Sequence, residues 1–337
     1  MQIKHLIFGT GLIGSYLAGC FHQNNNQVHL IGRRKSQSSF KGGYKLTDFD
    51  NNSFETSDQL GFVEPSNSPS CSDRFDIIWL TVKCTSIDSV IEPLNSLLNT
   101  SSIIICCQNG FGSDQTIKKA FPNNKVLSAV VGFNVVQVEG NHWHRSTEGA
   151  LVIEQSSNTK NLVRLLDSKL LPTHLSNNIS AERWAKLQLN LANAVNALAD
   201  IPIKEMLEER EYRLIIAQLM RELLLVTNAL HIHLPKVSAV HGRFIPALMS
   251  LPNFIFKPIA QKMLTIDPQA RTSMWHDLSN KRKTEIDFIN GAVSNNANKL
   301  GVNSPLNNAL ISLIKSVENN KESIGFTAEE LKARLNY

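Results

Sequence analysis

Long apolar runs are missing from this sequence. Its longest apolar stretches, such as residues 103–107 and 129–133, are far shorter than the roughly 20 residues that a membrane-spanning helix needs. No secretory signal precedes the first strand-like segment, because residues 1–4 lead directly into it. We therefore expect a cytoplasmic protein that does not enter a membrane.

Cysteine is also scarce, and its spacing indicates neither a disulfide framework nor a zinc site. The five cysteines are odd in number and include no C-x-x-C pair, and the ten histidines show no ligand spacing. No metal is therefore predicted. Four cysteines lie in apolar segments and are expected to be buried thiols of a reducing compartment: Cys20, Cys84, Cys106 and Cys107.

A strong excess of charge of either sign is absent. The chain carries 34 Lys and Arg against 29 Asp and Glu, a net charge of +5. Apart from residues 33–35 and 281–283, the positive side chains are dispersed among acidic ones, which argues against a nucleic-acid-binding surface. A modest positive charge suits anionic small-molecule ligands. With 337 residues, 42% of them hydrophobic, the chain is long enough for two globular domains.

The most informative feature that is present is a glycine turn near the start. Residues 4–8 form a short apolar run that leads into Gly9-Thr10-Gly11-Leu12-Ile13-Gly14, and residues 28–31 form the next apolar run. This order predicts a strand, a turn, a helix and a second strand. Gly9 permits the tight turn, Gly11 lets the backbone approach a pyrophosphate, and Gly14 lets the helix pack on the strand. Because the helix N-terminus would face the phosphates, a dinucleotide site is predicted rather than a purely structural turn.

The end of the second strand indicates which dinucleotide is bound. A site for NAD usually has an acidic residue about 20 residues after the glycines, where it accepts hydrogen bonds from the ribose 2′-hydroxyl. This sequence has Arg33, Arg34 and Lys35 there, and a guanidinium can bind a 2′-phosphate through paired hydrogen bonds. NADP is therefore predicted, with Arg33 as its main contact. The alternative is a solvated basic turn.

The alternation of segments predicts an α/β fold, with an N-terminal Rossmann-type doubly wound sheet and a C-terminal all-helical domain. Short apolar strands alternate with helical stretches at 13–23, 87–98 and 114–120. Residues 126–154 are β-branched and suggest an antiparallel extension of the sheet, whereas residues 45–64 suggest an irregular insertion. Near Ser180 the sequence pattern changes, and from there to the end it predicts almost only helices. We predict an NADP-binding domain at 1–178, a helical substrate and catalytic domain at 179–337, and a substrate cleft between them.

Polar side chains form one face of a predicted helix at 181–198. Glu182, Lys186, Asn190 and Asn193 are spaced by four, four and three residues, which places them on the same side. Because this face has one lysine among carboxamides, it suits a water-poor cleft in which each group contacts a ligand. A solvated helix face is an equally acceptable interpretation of the spacing alone.

Three further segments attract attention. Gln108-Asn109-Gly110 and Lys83 follow predicted strands, at the edge where open α/β sheets bind ligands. The third segment, residues 284–291, contains Glu285 and comes after Ser273 and Asp277. By itself it is typical of a plain amphipathic helix.

Together these motifs resemble the ketopantoate reductases, the 2-dehydropantoate 2-reductases. The resemblance covers nearly the whole chain, in order and approximate spacing, and its motifs are the G-x-G-x-x-G turn with Arg33, Val82-Lys83, Gln108-Asn109-Gly110, Trp184-x-Lys186-Leu187-x-x-Asn190, and Thr284-Glu285-Ile286-Asp287-Phe288-Ile289-Asn290-Gly291. The last two are specific to that family among NADP-binding folds.

The resemblance implies a role for each matching residue. Lys186 would be the catalytic acid, and Glu285 would bind the substrate hydroxyl and help to place the lysine. Substrate binding would involve Asn109, Asn190, Asn193 and Ser273. Cofactor binding would involve Gly9, Thr10, Gly11, Leu12, Ile13, Gly14, Arg33, Lys83, Asn109 and Glu285. One departure affects the substrate pocket: a family asparagine eight residues after the lysine is replaced by Ala194, and Asn193 is its expected substitute.

The implied activity is NADPH-dependent reduction of 2-dehydropantoate to (R)-pantoate for pantothenate and coenzyme A synthesis. An enzyme for a different 2-oxo acid is the first alternative, because Ala194 departs from the family pattern. A non-catalytic NADP(H)-binding sensor is the second, although both Lys186 and Glu285 are present. The expected partner is a small 2-oxo acid, with no nucleic acid and no membrane. The resemblance leaves a monomer or a homodimer open.

Overall fold

A computed structural model describes residues 3–32, 39–63, 74–237, 240–261 and 267–337. The chain divides into two compact units, the first ending at Ile179 and the second beginning at Ser180. The first unit is α/β and the second is mostly helical, as the sequence predicts.

The described part of the first unit contains twelve strands and four α-helices. The strands are β1 (Lys4–Phe8), β2 (Gln27–Ile31), β3 (Tyr44–Asp48), β4 (Ser53–Thr56), β5 (Gly61–Phe62), β6 (Ile77–Leu80), β7 (Ile103–Cys106), β8 (Lys125–Val131), β9 (Val135–Glu139), β10 (His142–Arg145), β11 (Leu151–Glu154) and β12 (Thr173–Ser176). The helices are α1 (Leu12–Gln23), α2 (Ile91–Asn95), α3 (Ser113–Ala120) and α4 (Leu162–Leu166), with short 3-10 turns at Cys84–Ser86 and Asp88–Val90.

Eight of these strands form the main sheet, in the order β12-β11-β8-β7-β6-β1-β2-β5. All neighbours are parallel except β8 and β11, which confirms an antiparallel extension. Parallel strands covered on both faces need continuous apolar runs. Thus Ile7, Trp79 and Ile105 belong to one buried cluster with α1 and α4, while the alternate side chains belong to a second cluster with α2 and α3 on the other face. Each buried side chain of this size contributes about 1.5–3 kcal/mol.

The prediction of an irregular insertion at 45–64 is wrong. Strands β3 and β4 form a hairpin, and β3 pairs in parallel with β10 in a separate four-stranded sheet of order β4-β3-β10-β9. This sheet packs closely on α1, where a Cβ on Gly19 would lie 2.9 Å from side-chain atoms of both Tyr44 and Leu46. The alternating buried residues of β3 therefore cover a helix rather than continuing the main sheet. Likewise, the helix predicted at 87–98 is shorter than expected, since only Ile91–Asn95 is α-helical.

The second unit is built around a long helix, α8. Among its described residues, the α-helices are α5 (Ile179–Asn190), which begins on the last residue of the first unit, α6 (Ala192–Ala199), α7 (Ile203–Glu208), α8 (Arg210–Ala229), α9 (Ile245–Ser250), α10 (Asn253–Ile259), α11 (Ser273–Ser279), α12 (Asn290–Leu300), α13 (Pro305–Glu318) and α14 (Ala328–Leu335). A two-residue ladder joins β13 (Lys236–Val237) to β14 (Val240–His241), followed by a 3-10 turn at Gly242–Phe244.

Helix α8 presents a buried stripe at helical spacing. Ile215, Leu219, Leu223 and Val226 are all fully buried, and α8 contacts helices α6, α7, α9, α12, α13 and α14. This periodicity of three and four residues is the one expected for a helix that faces a core. Among these neighbours, α6 carries the predicted site residue Asn193.

Candidate active site

The glycine turn of the first unit is closely packed against the end of β6. Gly9 has a φ of +119°, and a Cβ there would lie 2.8 Å from the backbone nitrogen of Val82. A Cβ on Gly14 would lie 1.9 Å from the carbonyl oxygen of Gly9. The hydroxyl of Thr81 donates a hydrogen bond of 2.7 Å to that same carbonyl. Glycine is therefore required at positions 9 and 14 by conformation and by close approach.

Gly11 differs from its two neighbours in the motif because space is open around it. A Cβ at Gly11 would meet no atom within 4 Å, and no side chain caps helix α1 there. Ser15 is the first residue of α1 whose N–H donates within the helix, to the Gly11 carbonyl at 2.9 Å. The preceding N–H groups, including those of Leu12 and Ile13, have no intrahelical acceptor. This uncapped helix end with an open glycine fits a pyrophosphate.

Thr10 fixes the relation between the glycine turn and the end of β2. A Cβ on Gly32, the residue directly after β2, would lie 1.8 Å from the Thr10 hydroxyl oxygen. Thr10 therefore occupies the space that a larger residue at 32 would need. Arg33, the residue predicted to bind a 2′-phosphate, lies outside the described residues together with Arg34 and Lys35.

Lys83 and Asn109 follow the adjacent strands β6 and β7, and contacts near the backbone bring their segments together. The thiol of Cys84 donates a hydrogen bond of 2.9 Å to the Asn109 carbonyl. The side-chain nitrogen Nε2 of Gln108 donates to the carbonyls of Leu80 and Val82, at 2.9 and 3.3 Å. Because Thr81 also contacts the glycine turn, all the described residues predicted for the first unit's site lie at one edge of the sheet.

In the second unit, the face that carries Lys186 continues through a break. The helix predicted at 181–198 consists of α5 and α6, with Leu191 between them still donating to the Leu187 carbonyl at 3.1 Å. Lys186 and Asn190 are half-buried, whereas the opposite stripe is fully buried. The amide nitrogen Nδ2 of Asn190 is shielded from solvent and has no acceptor among the described residues. A buried donor of this kind is suited to a ligand acceptor.

Helices α6 and α11 are joined by hydrogen bonds beside Asn193 and Ser273. The Thr272 N–H donates to Asn196 Oδ1 at 3.1 Å, and the Thr272 hydroxyl donates to the Asn193 carbonyl at 3.3 Å. Ser273 is the exposed first residue of α11. Because it directly follows Thr272, it lies next to α6. Ala194 is fully buried, whereas Asn193 is half-buried. The two predicted substrate contacts are thus brought together within this unit.

Glu285 lies in a series of tight turns rather than in a helix. The N–H groups of Phe288 and Ile289 both donate to the Glu285 carbonyl at 3.0 Å, and α-helix begins only at Asn290. The side chain of Glu285 is buried. A regular amphipathic helix over 284–289, which the bare pattern suggests, is therefore wrong. The hydrogen bonds here mix spacings of three, four and five residues, the last from the Gly291 N–H to the Ile286 carbonyl at 2.9 Å.

Pattern reasoning omitted several residues that hold these segments. Cys84 and Thr272 are examples: each contacts the backbone of a predicted site residue. Thr272 has a local signal, as a polar residue directly before a helix, whereas Cys84 lies four residues after β6 and has none. Metal ligation provides no further candidate, since the described portion of the chain contains no group of three or more His, Cys, Asp and Glu that could hold an ion. Within that portion, too, no helix has the length and apolar character needed to cross a membrane.

Two family models match successive parts of the chain. Residues 5–158 match the family model described as ketopantoate reductase PanE/ApbA, and residues 178–318 match its C-terminal model. A 2-dehydropantoate 2-reductase of Pyrobaculum aerophilum is 29% identical over 71% of this chain and 76% of its own length. Among solved structures, a ketopantoate reductase of Ralstonia eutropha JMP134 has a TM-score of 0.77 at 24% identity, over 95% of this chain and all of the other. A D-mandelate dehydrogenase, solved with NADH and anilino(oxo)acetate, has a TM-score of 0.73 at 23% identity, over 94% and 99%.

The parallel sheet with its uncapped glycine turn, followed by the helical unit, defines a Rossmann-type oxidoreductase of two units. Both units match models of one family. The chain belongs to the ketopantoate reductase family, whose members are nicotinamide-dependent reductases.

Proposed function

We propose that this enzyme reduces 2-dehydropantoate to (R)-pantoate with NADPH, in the cytoplasm, as a step towards pantothenate and coenzyme A. The observation that carries the proposal is that both units belong to the family and that Lys186 and Glu285 are both present. The first unit would be the NADP-binding domain and the second the substrate and catalytic domain. Either a monomer or a homodimer is compatible with this function.

The cofactor would be held mainly by the glycine turn. The open space at Gly11 and the uncapped N-terminus of α1 suit the pyrophosphate. The residues proposed to contact the dinucleotide are Gly9, Thr10, Gly11, Leu12, Ile13, Gly14, Arg33, Lys83, Asn109 and Glu285. NADPH is preferred to NADH because Arg33 stands where an NAD site has an acidic residue. NADH is the alternative, since a protein of the same fold was solved with it.

The protein's own groups would supply proton transfer and charge stabilisation. When bound, the reduced nicotinamide supplies a hydride to the ketone carbon, so negative charge develops on the ketone oxygen. The ammonium of Lys186 would stabilise that charge and donate a proton to the oxygen, giving the alcohol and a neutral amine that solvent reprotonates. Glu285 would accept a hydrogen bond from the substrate's hydroxyl and orient it towards Lys186.

The remaining contacts would fix the substrate. Asn190 is the strongest candidate, because its buried amide nitrogen could donate to a substrate oxygen. Ser273, at the first turn of α11, would meet the carboxylate. Asn109 and Asn193 would complete the site, with Asn193 in place of the family asparagine that Ala194 replaces.

The decisive experiment follows NADPH absorbance when 2-dehydropantoate is added to the purified protein, with NADH in a parallel cuvette. Rapid oxidation of NADPH alone would support the substrate, the reaction and the role of Arg33 together. Oxidation of both cofactors would contradict the preference for NADPH that is inferred from Arg33, but it would still support the proposed reaction.

A different 2-oxo acid is the second candidate substrate. It is favoured by Ala194 and by the D-mandelate dehydrogenase of the same fold. A panel of 2-oxo acids with and without a 4-hydroxyl would discriminate, because Glu285 should select the hydroxylated members. A sensor would bind NADPH tightly and reduce none of these 2-oxo acids.

A further inference from the structure

The turns that carry Glu285 run alongside helix α13 and are attached to it at three places. Residues 284–290 pass in the opposite direction to α13, so that their first residue meets the helix's last. The three contacts are Thr284 with Glu318, Asp287 with Lys315, and Asn290 with Asn307. Because the segment is not an α-helix until Asn290, these side chains replace the support that helical hydrogen bonds would give.

Glu318 makes the most specific of the three contacts. Its Oε1 accepts hydrogen bonds from both the N–H and the hydroxyl of Thr284, each at 2.7 Å. The same hydroxyl oxygen accepts from the N–H of Ile286 at 3.2 Å. The side chain of Glu318 is only 6% exposed, so these charge-assisted bonds are shielded from water. One carboxylate thereby fixes the residues on both sides of Glu285.

The other end of the segment is fixed by a buried network. Asn290 Nδ2 donates to Asn307 Oδ1 at 3.0 Å, and Asn307 Nδ2 donates to Glu222 Oε2 at 2.7 Å. Glu222 also accepts from the N–H groups of Leu306 and Asn307, both at 2.9 Å, and so stabilises the N-terminus of α13. Helix α13 is therefore itself held in place, through α8, before it holds the segment.

We propose that Glu318 is the positioning residue for Glu285: it holds the Thr284–Ile286 backbone so that the Glu285 carboxylate presents to the substrate in one orientation. This inference rests on the proposed function for its catalytic consequence. It does not require Glu318 to touch the substrate. Asp287 and Lys315 are both about half-exposed, so their ion pair is a weaker support than Glu318.

The test compares two substitutions of one residue. Glu318→Ala removes both bonds to Thr284, whereas Glu318→Gln retains an acceptor oxygen. We expect Glu318→Ala to lower kcat/KM for the 2-oxo acid by about 10–100-fold, since small misplacements of catalytic groups cost that much, and Glu318→Gln to recover most of the loss. The Kd for NADPH should change far less than kcat/KM in both, because the cofactor would be held mainly by the glycine turn. Lys283→Met is the matched control, because it removes the exposed partner of Glu318, at 3.5 Å, without touching Thr284.

Amide hydrogen exchange provides a readout that does not depend on turnover. Exchange at Thr284 and Ile286 should accelerate in Glu318→Ala and stay slow in Glu318→Gln. If Glu318→Ala fails to fold, Thr284→Val removes only the hydroxyl bonds and Thr284→Ser retains them, with the same expected contrast.

The two proposals fail in different ways. If the wild type turns over and Glu285→Gln is slow, but Glu318→Ala keeps wild-type kinetics and slow exchange, the positioning role is wrong and the proposed function stands. If the wild type fails to oxidise NADPH with any of the 2-oxo acids tested, the proposed function is wrong. Exchange at Thr284 and Ile286 then decides by itself whether Glu318 holds the segment.

Discussion

The two units place their candidate site residues by different means. In the first unit the backbone builds the glycine turn: glycines at 9 and 14 allow close approach, Gly11 leaves open space, and α1 has an uncapped N-terminus. In the second unit, side chains such as Glu318 and Thr272 hold the segments that carry Glu285 and Ser273. Added side-chain atoms in the glycine turn should therefore impair folding or cofactor binding. In the second unit, by contrast, single substitutions can remove the supporting hydrogen bonds one at a time.

The largest expected effect would separate chemistry from cofactor binding. Lys186→Ala should lower kcat by about 10²–10⁴-fold, because it removes the proposed proton donor, and should leave the Kd for NADPH unchanged. Lys186→Arg is the control that keeps the charge but donates a proton poorly. Stopped-flow absorbance and fluorescence titration of NADPH measure the two quantities. A parallel loss of NADPH affinity would show that the two units do not act separately.

The first unit should also be the more sensitive to acid, because His5 is fully buried in its core. Burial lowers the pKa of His5 to about 4, against an opposing effect of Asp76, from an ordinary value of 6.5. Between pH 6.5 and 4, His5 is therefore protonated in the unfolded chain but stays neutral in the folded unit. The first unit should lose about 3 kcal/mol of stability as the pH falls through that range, and keep it above pH 6.5.

Urea unfolding at pH 7, 5.5 and 4.5, followed by amide exchange in β1 and β6, would measure this loss. His5→Gln is the matched variant, since its oxygen can replace His5 Nδ1 as acceptor for Trp79 Nε1, which lies 3.1 Å away. Its pH dependence should be shallower. An equally steep loss in His5→Gln would assign the acid sensitivity to other groups.

Two glycines of the same turn should respond differently to alanine. Gly14→Ala should cost at least about 1–3 kcal/mol, since its Cβ would overlap the Gly9 carbonyl. Gly11→Ala should leave stability within about 0.5 kcal/mol, because its Cβ meets no atom, yet weaken NADPH binding by occupying the space proposed for the pyrophosphate. Thermal unfolding and NADPH titration of both variants provide the comparison. Equal NADPH affinity in Gly11→Ala and wild type would argue against the proposed site.

The smallest expected effect is at Cys84. Cys84→Ala removes its hydrogen bond to the Asn109 carbonyl, which should cost about 0.5–1.5 kcal/mol and lower kcat/KM a few-fold. Cys84→Ser retains a donor and should lie nearer to the wild type. If both variants are indistinguishable from wild type in steady-state kinetics, the position of Asn109 is fixed by other contacts.

The contrast between the units also explains what the sequence predicts. Gly9 and Gly14 are visible because a requirement of the backbone restricts the residue type at a fixed spacing, and the apolar strands are visible because they are buried on both faces. Strand β3 has a nearby partner, β4, but its other partner is β10, far along the chain, and no local pattern records that second pairing.

In the second unit, the shared face of Lys186 and Asn190 follows from helical spacing alone. Glu318 does not, because a glutamate at a helix end is ordinarily solvated, and its partner Thr284 is 34 residues away. The turns around Glu285 were also missed, since the apolar residues Ile286 and Ile289 have a spacing that a helix would share. Long-range side-chain bonds therefore account for most of what could not be predicted.

The length of helix α13 sets the distance between the two contacts that hold the ends of the segment beside it. Asn307 and Glu318 are separated by about three helical turns, roughly 16 Å, and lie on nearly the same side of the helix. One residue inserted between them would rotate Glu318 by about 100° away from Thr284 while Asn307 kept its place. Length changes inside α13 should therefore be far less acceptable than substitutions on its exposed side, and natural variation in length should be confined to the loops that flank it.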